Sequence, residues 1–159
     1  AYHLIDTSRL SVHQLKTAIL NLITRSSDLP AGMKINVMSF GYKYGIPVDA
    51  DLVMDMRFLT NPYFQPDLKH MDGESGAVRD FVLSNPETRT FLKKFTPLLD
   101  YLIPLYQREN KAYLTIAVGC TGGRHRSVVI ARCIFEHLNH KARHPGLIHR
   151  DIDRDIREI

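Results

Sequence analysis

At 159 residues, the chain has room for one domain of ordinary size with a buried core. Its 44% hydrophobic and 24% charged residues are typical of a globular protein, and the lack of a long apolar run excludes a membrane-spanning helix. Two cysteines are too few for a disulfide framework, and the net charge of +4 favours an anionic partner.

The first 32 residues predict a helix followed by a linker. Ser11 and Gln14 form a capping box, and apolar residues recur at helical spacing through residues 6–24. Pro30 and Gly32 end this pattern, so residues 26–32 are interpreted as a linker. We expect residues 1–26 to complete an upstream domain and residues 33–159 to form the main one. The start without Met or a signal-peptide pattern favours a cytoplasmic fragment of a longer protein.

Two short apolar runs predict the first strands of the main domain, at residues 34–40 and 52–58. The second run is apolar almost throughout, which predicts a strand buried on both faces. Residues 41–51 and 60–76 are rich in turn signals and are interpreted as loops. The second loop is long enough to suggest a functional role.

A long helix is predicted to begin after Asn85, an N-cap residue that is followed by Pro86 in the first turn. Pro97 and Pro104 are expected to kink or interrupt this helix, because each lacks an N–H donor. The stripe that faces the core is predicted to consist of Phe91, Phe95, Leu98, Leu99 and Leu102.

The last predicted elements are a strand at residues 112–118, a helix at residues 127–139 and a short strand at residues 146–149. The whole order predicts an α/β fold: a single domain with a small, mostly parallel sheet flanked by helices. Ligands of such sheets bind beyond the carboxyl ends of the strands, which are predicted at residues 40, 58 and 118.

The segment 119–128 joins the third strand to the next helix and is predicted to be a phosphate-binding loop. Glycines allow the backbone to approach an anion closely, and the unpaired N–H groups at a helix N-terminus attract it. Hydroxyl, guanidinium and imidazole side chains add donors. The residues that this pattern assigns to the phosphate are Thr121, Gly122, Gly123, His125, Arg126 and Ser127.

Cys120 and Arg126 also have the C-x5-R spacing, which resembles the cysteine-dependent phosphatases. In those enzymes the thiolate attacks phosphorus and the arginine binds the other oxygens. Here Gly119 occupies the position of the histidine in that signature, and no aspartate stands out as the general acid. We therefore predict no phosphatase activity and interpret Cys120 as part of the loop wall, with a phosphoester-cleaving enzyme as the alternative function.

Three motifs in order resemble the C-terminal domain of the RapZ/YvcJ family: residues 39–47 (SFGYKYGIP), residues 55–63 (DMRFLTNPY) and residues 119–128. The resemblance implies a fold similar to a phosphofructokinase subdomain. It also implies a non-enzymatic, oligomeric, RNA-binding adaptor that senses glucosamine-6-phosphate and presents a small regulatory RNA to RNase E. The helix at residues 6–24 would then end the family's N-terminal domain, which binds ATP or GTP.

Matching the chain to these motifs assigns ligand contacts residue by residue. Tyr44 and Tyr63 occupy positions where the family has histidine, so they can donate a hydrogen bond but carry no positive charge. From the residues alone, Asp55 is either the partner of an arginine or an acceptor for sugar hydroxyls or an amino group. The matching positions are Cys120, Thr121, Gly122, His125 and Arg126 in the loop, and Asp55 and Arg57 in the second motif.

Basic residues are concentrated in the C-terminal part of the chain. Four of them are predicted to contact RNA phosphates: Arg124, Lys141, Arg143 and Arg150. The acids at residues 151–158 oppose their field, so a solvated mixed-charge tail is the alternative interpretation. The histidines lack the spacing of metal ligands, and no metal site is predicted.

Overall fold

The computed structural model describes residue 15 and residues 32–154 of the chain. Apart from Leu15 and Gly32, the predicted N-terminal helix and linker lie outside the described residues, so both remain predictions. The described domain lies within a compact unit that begins at Met33.

Within residues 32–154, four parallel strands form one sheet in the order β2-β3-β1-β4. The strands are β1 (Lys34–Gly41), β2 (Leu52–Asp55), β3 (Tyr113–Cys120) and β4 (Gly146–His149). Parallel pairing brings their carboxyl ends to one edge, where Gly41 lies opposite Cys120 and Asp55 lies opposite Gly119. The predicted α/β fold is confirmed, and this edge is where parallel sheets bind their ligands.

β2 is shorter and more exposed than its apolar sequence predicts. It ends at Asp55 rather than at residue 58, and it pairs only with β3, at the edge of the sheet. Val53 is 38% exposed, whereas Met56, just after the strand, is fully buried. The prediction of a strand buried on both faces is wrong, because an apolar run does not reveal whether a strand has one neighbour or two.

Three α-helices connect the strands of the described region: α1 (Gly76–Ser84), α2 (Pro86–Arg108) and α3 (Arg126–His140). α2 begins where it was predicted, since the Asn85 side chain accepts a hydrogen bond from the Glu87 N–H. α1 was not predicted. Its buried face consists of Val78 and Val82, one turn apart, and two apolar positions are too few to indicate a helix in the sequence.

α2 continues through Pro97 and Pro104, so the expected interruption of the helix does not occur. Each proline leaves one carbonyl of the preceding turn without its helical N–H donor. Beside the first proline, the Thr96 hydroxyl donates to the Leu92 carbonyl oxygen at 2.9 Å. The carbonyl freed by Pro97 is that of Lys93, which this bond does not reach, and the helix nevertheless remains a single element of 23 residues.

The core-facing stripe of α2 follows a spacing of four residues. Phe95 and Leu99 are buried as predicted, and Ile103 continues the same stripe. Leu98 is 46% exposed, so its assignment to the core is wrong. One residue along a helix turns the side chain by about 100°, which moves Leu98 away from the face that buries Leu99.

α3 positions the predicted phosphate loop, because it packs on β1, β3 and β4 directly after the turn from β3. Its first six residues, Arg126 to Ala131, are all buried. Sheet and helices share one apolar core. None of the helices in residues 32–154 is long and apolar enough to cross a membrane.

Candidate functional site

The turn between β3 and α3 touches the end of β1 through backbone alone. A Cβ added to Gly41 would lie 2.6 Å from the Gly122 carbonyl carbon, and one added to Gly123 would lie 2.6 Å from the Gly41 nitrogen. Gly123 also has a φ of +78°, a conformation that favours glycine. These glycines are therefore required by the contact between two chain segments, whether or not an anion is bound.

A buried carboxylate anchors this contact. Asp151 is fully buried, and its Oδ2 accepts hydrogen bonds from the Gly41 N–H at 2.9 Å and from Arg150 at 2.9 and 2.7 Å. Arg150 also donates to the Gly45 carbonyl oxygen at 2.6 Å. The interpretation of a solvated tail is wrong for Asp151. The Nε and Nη2 donors of Arg150 are used inside the fold, and its contact with RNA stays a prediction.

Arg124 fastens the other side of the loop. Its guanidinium donates to the carbonyl oxygens of His70, Met71 and Ile152 at 3.1, 3.2 and 2.8 Å. Its own carbonyl accepts from the Gly73 N–H at 2.9 Å, and its side chain is buried. These bonds tie the loop to residues 70–73 and to the C-terminal segment. Arg124 therefore has a structural role, and its contact with RNA stays a prediction.

Arg126 is the first residue of α3, and only 5% of it is exposed. Its Nη1 donates to the carbonyl oxygens of Arg57 and Leu59 at 2.9 and 3.0 Å, and its Nη2 lies 3.4 Å from the Thr121 hydroxyl. Its Nε has no hydrogen-bond partner among the described residues. Burial lowers the pKa of this guanidinium, but arginine stays charged in proteins. The site thus contains a buried cation with an unused N–H donor.

The thiol of Cys120 lies at the end of β3 and is almost fully buried. Its Sγ is 3.1 Å from the Ser127 hydroxyl oxygen. Ser127 is itself fully buried and does not line the cleft, so its hydroxyl contacts the thiol rather than an incoming ligand.

An open cleft of about 410 Å³ lies beside the loop. This volume is within the range of pockets that hold small molecules. Its walls come from the segments after β1, β2 and β3. The lining residues are Lys43, Asn61, Tyr63, Phe64, Cys120, Thr121, Gly122, Arg124, His125 and Arg126.

Six of the predicted ligand residues line this cleft: Tyr63, Cys120, Thr121, Gly122, His125 and Arg126. Five do not: Tyr44, Asp55, Arg57, Gly123 and Ser127. Sequence reasoning missed Lys43, Asn61 and Phe64 as lining residues. The Asn61-Pro62 turn next to two aromatic residues, in a long loop, was the signal that could have indicated this wall.

Asp55 and Arg57 are occupied with each other. Both carboxylate oxygens of Asp55 accept from Arg57, with a shortest N···O distance of 2.6 Å. This hydrogen bonding lowers the pKa of Asp55. The Arg57 guanidinium also lies over the Tyr42 ring, 4.2 Å from its centre. Of the two interpretations of Asp55, the structure therefore favours the partner of an arginine.

His125 lines the cleft as a largely buried imidazole. Burial, with Arg124 and Arg126 beside it, lowers the pKa of His125 below its ordinary 6.5. The ring is therefore neutral at pH 7, although the sequence suggested a group that charges near neutral pH. Its Nε2 has no hydrogen-bond partner among the described residues. In its neutral form His125 can offer a ligand one hydrogen bond.

The residues predicted to bind RNA do not share one surface. Arg124 and Arg150 lie at the carboxyl edge of the sheet, whereas Lys141 and Arg143 follow the C-terminus of α3. A helix of 15 residues is about 22 Å long, which separates the two pairs. Lys141 and Arg143 lie 3.9 and 3.7 Å from the carboxylate of Asp100.

Comparison with known proteins agrees with the motifs. Residues 33–153 match the family model described as the RapZ C-terminal domain. The chain is 62% identical over 156 residues to a nucleotide-binding protein of Desulforapulum autotrophicum, covering 98% of this chain and 53% of that protein. It is 53% identical over 150 residues to a nucleotide-binding protein of Desulfosudis oleivorans, covering 93% and 50%. The chain thus spans about half the length of the curated relatives it matches.

Proposed function

The chain belongs to the RapZ C-terminal domain family, and from this premise we propose that its cleft is a non-enzymatic sensor site for a phosphorylated metabolite. The relatives are named nucleotide-binding proteins, and they are about twice as long as this chain. We assign the binding of ATP or GTP to the part of those proteins that lies outside the match. The proposal for this chain concerns the cleft alone.

One observation carries the proposal: Arg126 is buried, lines the cleft and has an Nε donor without a partner among the described residues. Leaving an N–H of a buried charged group unpaired is costly, so native structures rarely do so. Nε and Nη2 form one edge of a guanidinium, and that edge binds two oxygens of a phosphate or carboxylate together. Because Nη1 already holds two carbonyl oxygens, this remaining edge is the one available to an anion.

The rest of the cleft suits the organic part of such a ligand. Tyr63 and Phe64 provide an aromatic wall, and Asn61 provides an amide that can donate and accept hydrogen bonds. Thr121 adds a hydroxyl next to Arg126. Together with the family resemblance, this combination supports glucosamine-6-phosphate as the metabolite.

Calorimetric titration with glucosamine-6-phosphate and with inorganic phosphate tests the proposal. Hydrogen bonds to charged groups contribute about 1.5–3 kcal/mol each, so Arg126→Gln should weaken binding of both ligands at least about tenfold. The matched control is Arg89→Gln, on the exposed side of α2, which should bind as the original protein does. Thermal unfolding of both variants checks the fold, because Arg126 also holds the carbonyls of Arg57 and Leu59. Unchanged affinity in a folded Arg126→Gln variant would refute the proposal.

The alternative function, a cysteine-dependent phosphatase, is favoured by one contact, the Ser127 hydroxyl at 3.1 Å from the Cys120 thiol. We propose that it is not realised, because no aspartate stands out as the general acid and the carboxylate of Asp55 is engaged by Arg57. Hydrolysis of p-nitrophenyl phosphate should therefore be the same for the original protein and for Cys120→Ser. Hydrolysis by the original protein that is lost in Cys120→Ser would establish phosphatase activity.

We propose RNA binding at the C-terminal end of α3, where Lys141 is 56% exposed and Arg143 lies beside it around Asp100. In the family's adaptor role, this surface would present a small regulatory RNA to RNase E, and an oligomer would multiply its few phosphate contacts. A Lys141→Ala/Arg143→Ala double variant should lose mobility-shift binding of a structured RNA, and binding should weaken steeply with salt. Arg150 is left unchanged because it anchors the loop. Equal RNA binding by the double variant and the original protein would show that RNA does not bind this surface.

A further inference from the structure

We propose that Cys120 is a peroxide-sensitive thiol, and that its oxidation closes the cleft to anions. The second half of this inference rests on the proposed function, whereas the first half does not. A modification site of this kind needs a thiol that small oxidants can reach and polar groups that stabilise the oxygen gained.

The two cysteines of the chain have opposite surroundings. Cys120 lines the cleft, and its Sγ contacts the Ser127 hydroxyl at 3.1 Å. It also interacts electrostatically with the Arg126 guanidinium. Cys133 lies in the middle of α3 and is partly exposed, but it packs against the apolar core and has a pKa raised by burial. Only Cys120 therefore combines a polar environment with an opening to the cleft.

A second, independent observation points to an oxygen ligand at this place. The Nε of Arg126 and the Nε2 of His125 are buried donors or acceptors without partners among the described residues, and both side chains line the same cleft as Cys120. An oxygen bonded to the sulfur could accept a hydrogen bond that the protein now leaves unmade. Cys120 is thus one member of a group of polar side chains and not an isolated thiol.

The proposed step is a two-electron oxidation by a hydroperoxide. The sulfur of Cys120 attacks one peroxide oxygen, a sulfur–oxygen bond forms and the oxygen–oxygen bond breaks. With hydrogen peroxide, the second oxygen leaves as hydroxide and takes the thiol proton, so the products are a sulfenic acid and water. Sulfur is oxidised and the peroxide is reduced, with no further reactant.

The new oxygen would occupy the space beside Arg126 that the proposed anion needs. A sulfenate also carries a negative charge, which would neutralise the guanidinium and repel a phosphate. Oxidation should therefore reduce phosphate affinity at least about tenfold, comparable to the loss of one charge-assisted hydrogen bond. Thiol reductants should restore it, because a sulfenic acid is reversible.

The test treats the whole chain with hydrogen peroxide in the presence of dimedone, which traps sulfenic acids, and quantifies both cysteines by peptide mass spectrometry. Labelling of Cys120 should exceed labelling of Cys133 at least about tenfold, although Cys133 is the more exposed thiol, because only Cys120 lies in the cleft with donors that can stabilise the added oxygen. Ser127→Ala should slow labelling of Cys120 by removing the hydroxyl that contacts its sulfur, with thermal unfolding as a check on folding. Equal labelling of the two cysteines, or none at Cys120, would overturn the inference.

Inorganic phosphate separates this inference from the proposed function. Phosphate should slow labelling of Cys120 if both are correct, since the anion would cover the thiol. Labelling of Cys120 that phosphate does not slow would support the oxidation site and count against the anion site. Phosphate binding that persists unchanged after complete oxidation would overturn the closing of the cleft.

Discussion

Replacing Asp151 with alanine removes the anchor of the binding loop without touching the cleft itself. The carboxylate is fully buried and accepts hydrogen bonds from the Gly41 N–H and from Arg150. In Asp151→Ala, the Gly41 N–H loses its acceptor inside the protein and Arg150 keeps its bond to the Gly45 carbonyl. The contact between Gly41 and Gly123 then loses its side-chain anchor, since both residues lack side chains, while the backbone bond from the Lys43 N–H to the Thr121 carbonyl remains.

The expected loss of stability follows from the burial of Asp151 and Arg150. Removing one partner of a buried ion pair costs about 3–5 kcal/mol. Because the Arg150 side chain is 24% exposed, water recovers part of its interactions, and the lower end of this range applies. We expect the free energy of unfolding to fall by about 3 kcal/mol. For a chain of this size each kcal/mol lowers Tm by about 3–4 °C, so Tm should fall by about 10 °C.

Urea unfolding, a thermal melt and a phosphate titration measure this effect. Asp153→Ala is the matched control, because it removes the same charge two residues later from an exposed side chain. Its free energy of unfolding should stay within about 0.5 kcal/mol of the original protein, as for most surface substitutions. Asp151→Ala should also lose phosphate affinity, since the side of the loop that contacts Gly41 is no longer anchored. A difference of less than about 1 kcal/mol between the two variants would show that Asp151 does not anchor the loop.

Three further predictions follow from the same structure. Gly41→Ala should destabilise the domain in urea unfolding, since its Cβ would lie 2.6 Å from backbone, whereas Gly76→Ala, which meets nothing within 4 Å, should not. Asn85→Ala should reduce the unfolding free energy by about 1 kcal/mol through the lost N-cap, and an unchanged Tm would contradict this. Burial lowers the pKa of His125 and His149, so the unfolded chain binds these protons more tightly. The free energy of unfolding should therefore be highest above about pH 7 and decrease as the pH falls below 6.5. In His125→Gln, the difference between the unfolding free energies measured at pH 7.5 and at pH 5.5 should be smaller than in the original protein.

Much of the fold could be predicted from the sequence, because its signals are local. The strand at residues 34–40, the cap at Asn85 and the helix after the glycine-rich turn depend on neighbouring residues, and all three are confirmed. The same holds for the α/β class, which follows from the order of the elements. The sequence does not indicate which other strands or helices each element packs against. β2 is apolar and yet lies at the edge, and nothing local distinguishes it from β3.

In the candidate site too, the features that follow from a local motif could be predicted, and the partners of the charged residues could not. Arg126 and Cys120 follow from the loop motif, and both line the cleft. Arg124 and Arg150 were counted as surface charges, although each donates to backbone carbonyls from distant parts of the chain. Asp151 was interpreted as part of a solvated run for the same reason. Ion pairs and carbonyl contacts between residues about a hundred positions apart leave no pattern in a single sequence.

The position of Asp151 has a consequence for biosynthesis. Every residue that lines the cleft, from Lys43 to Arg126, is translated before the carboxylate that holds the loop. β4, which pairs with β1, is also made late, at residues 146–149. A nascent chain that has just emerged through α3 therefore contains all the binding residues but cannot yet fix their arrangement. The ribosome must pass residue 151 before this site can reach its final shape.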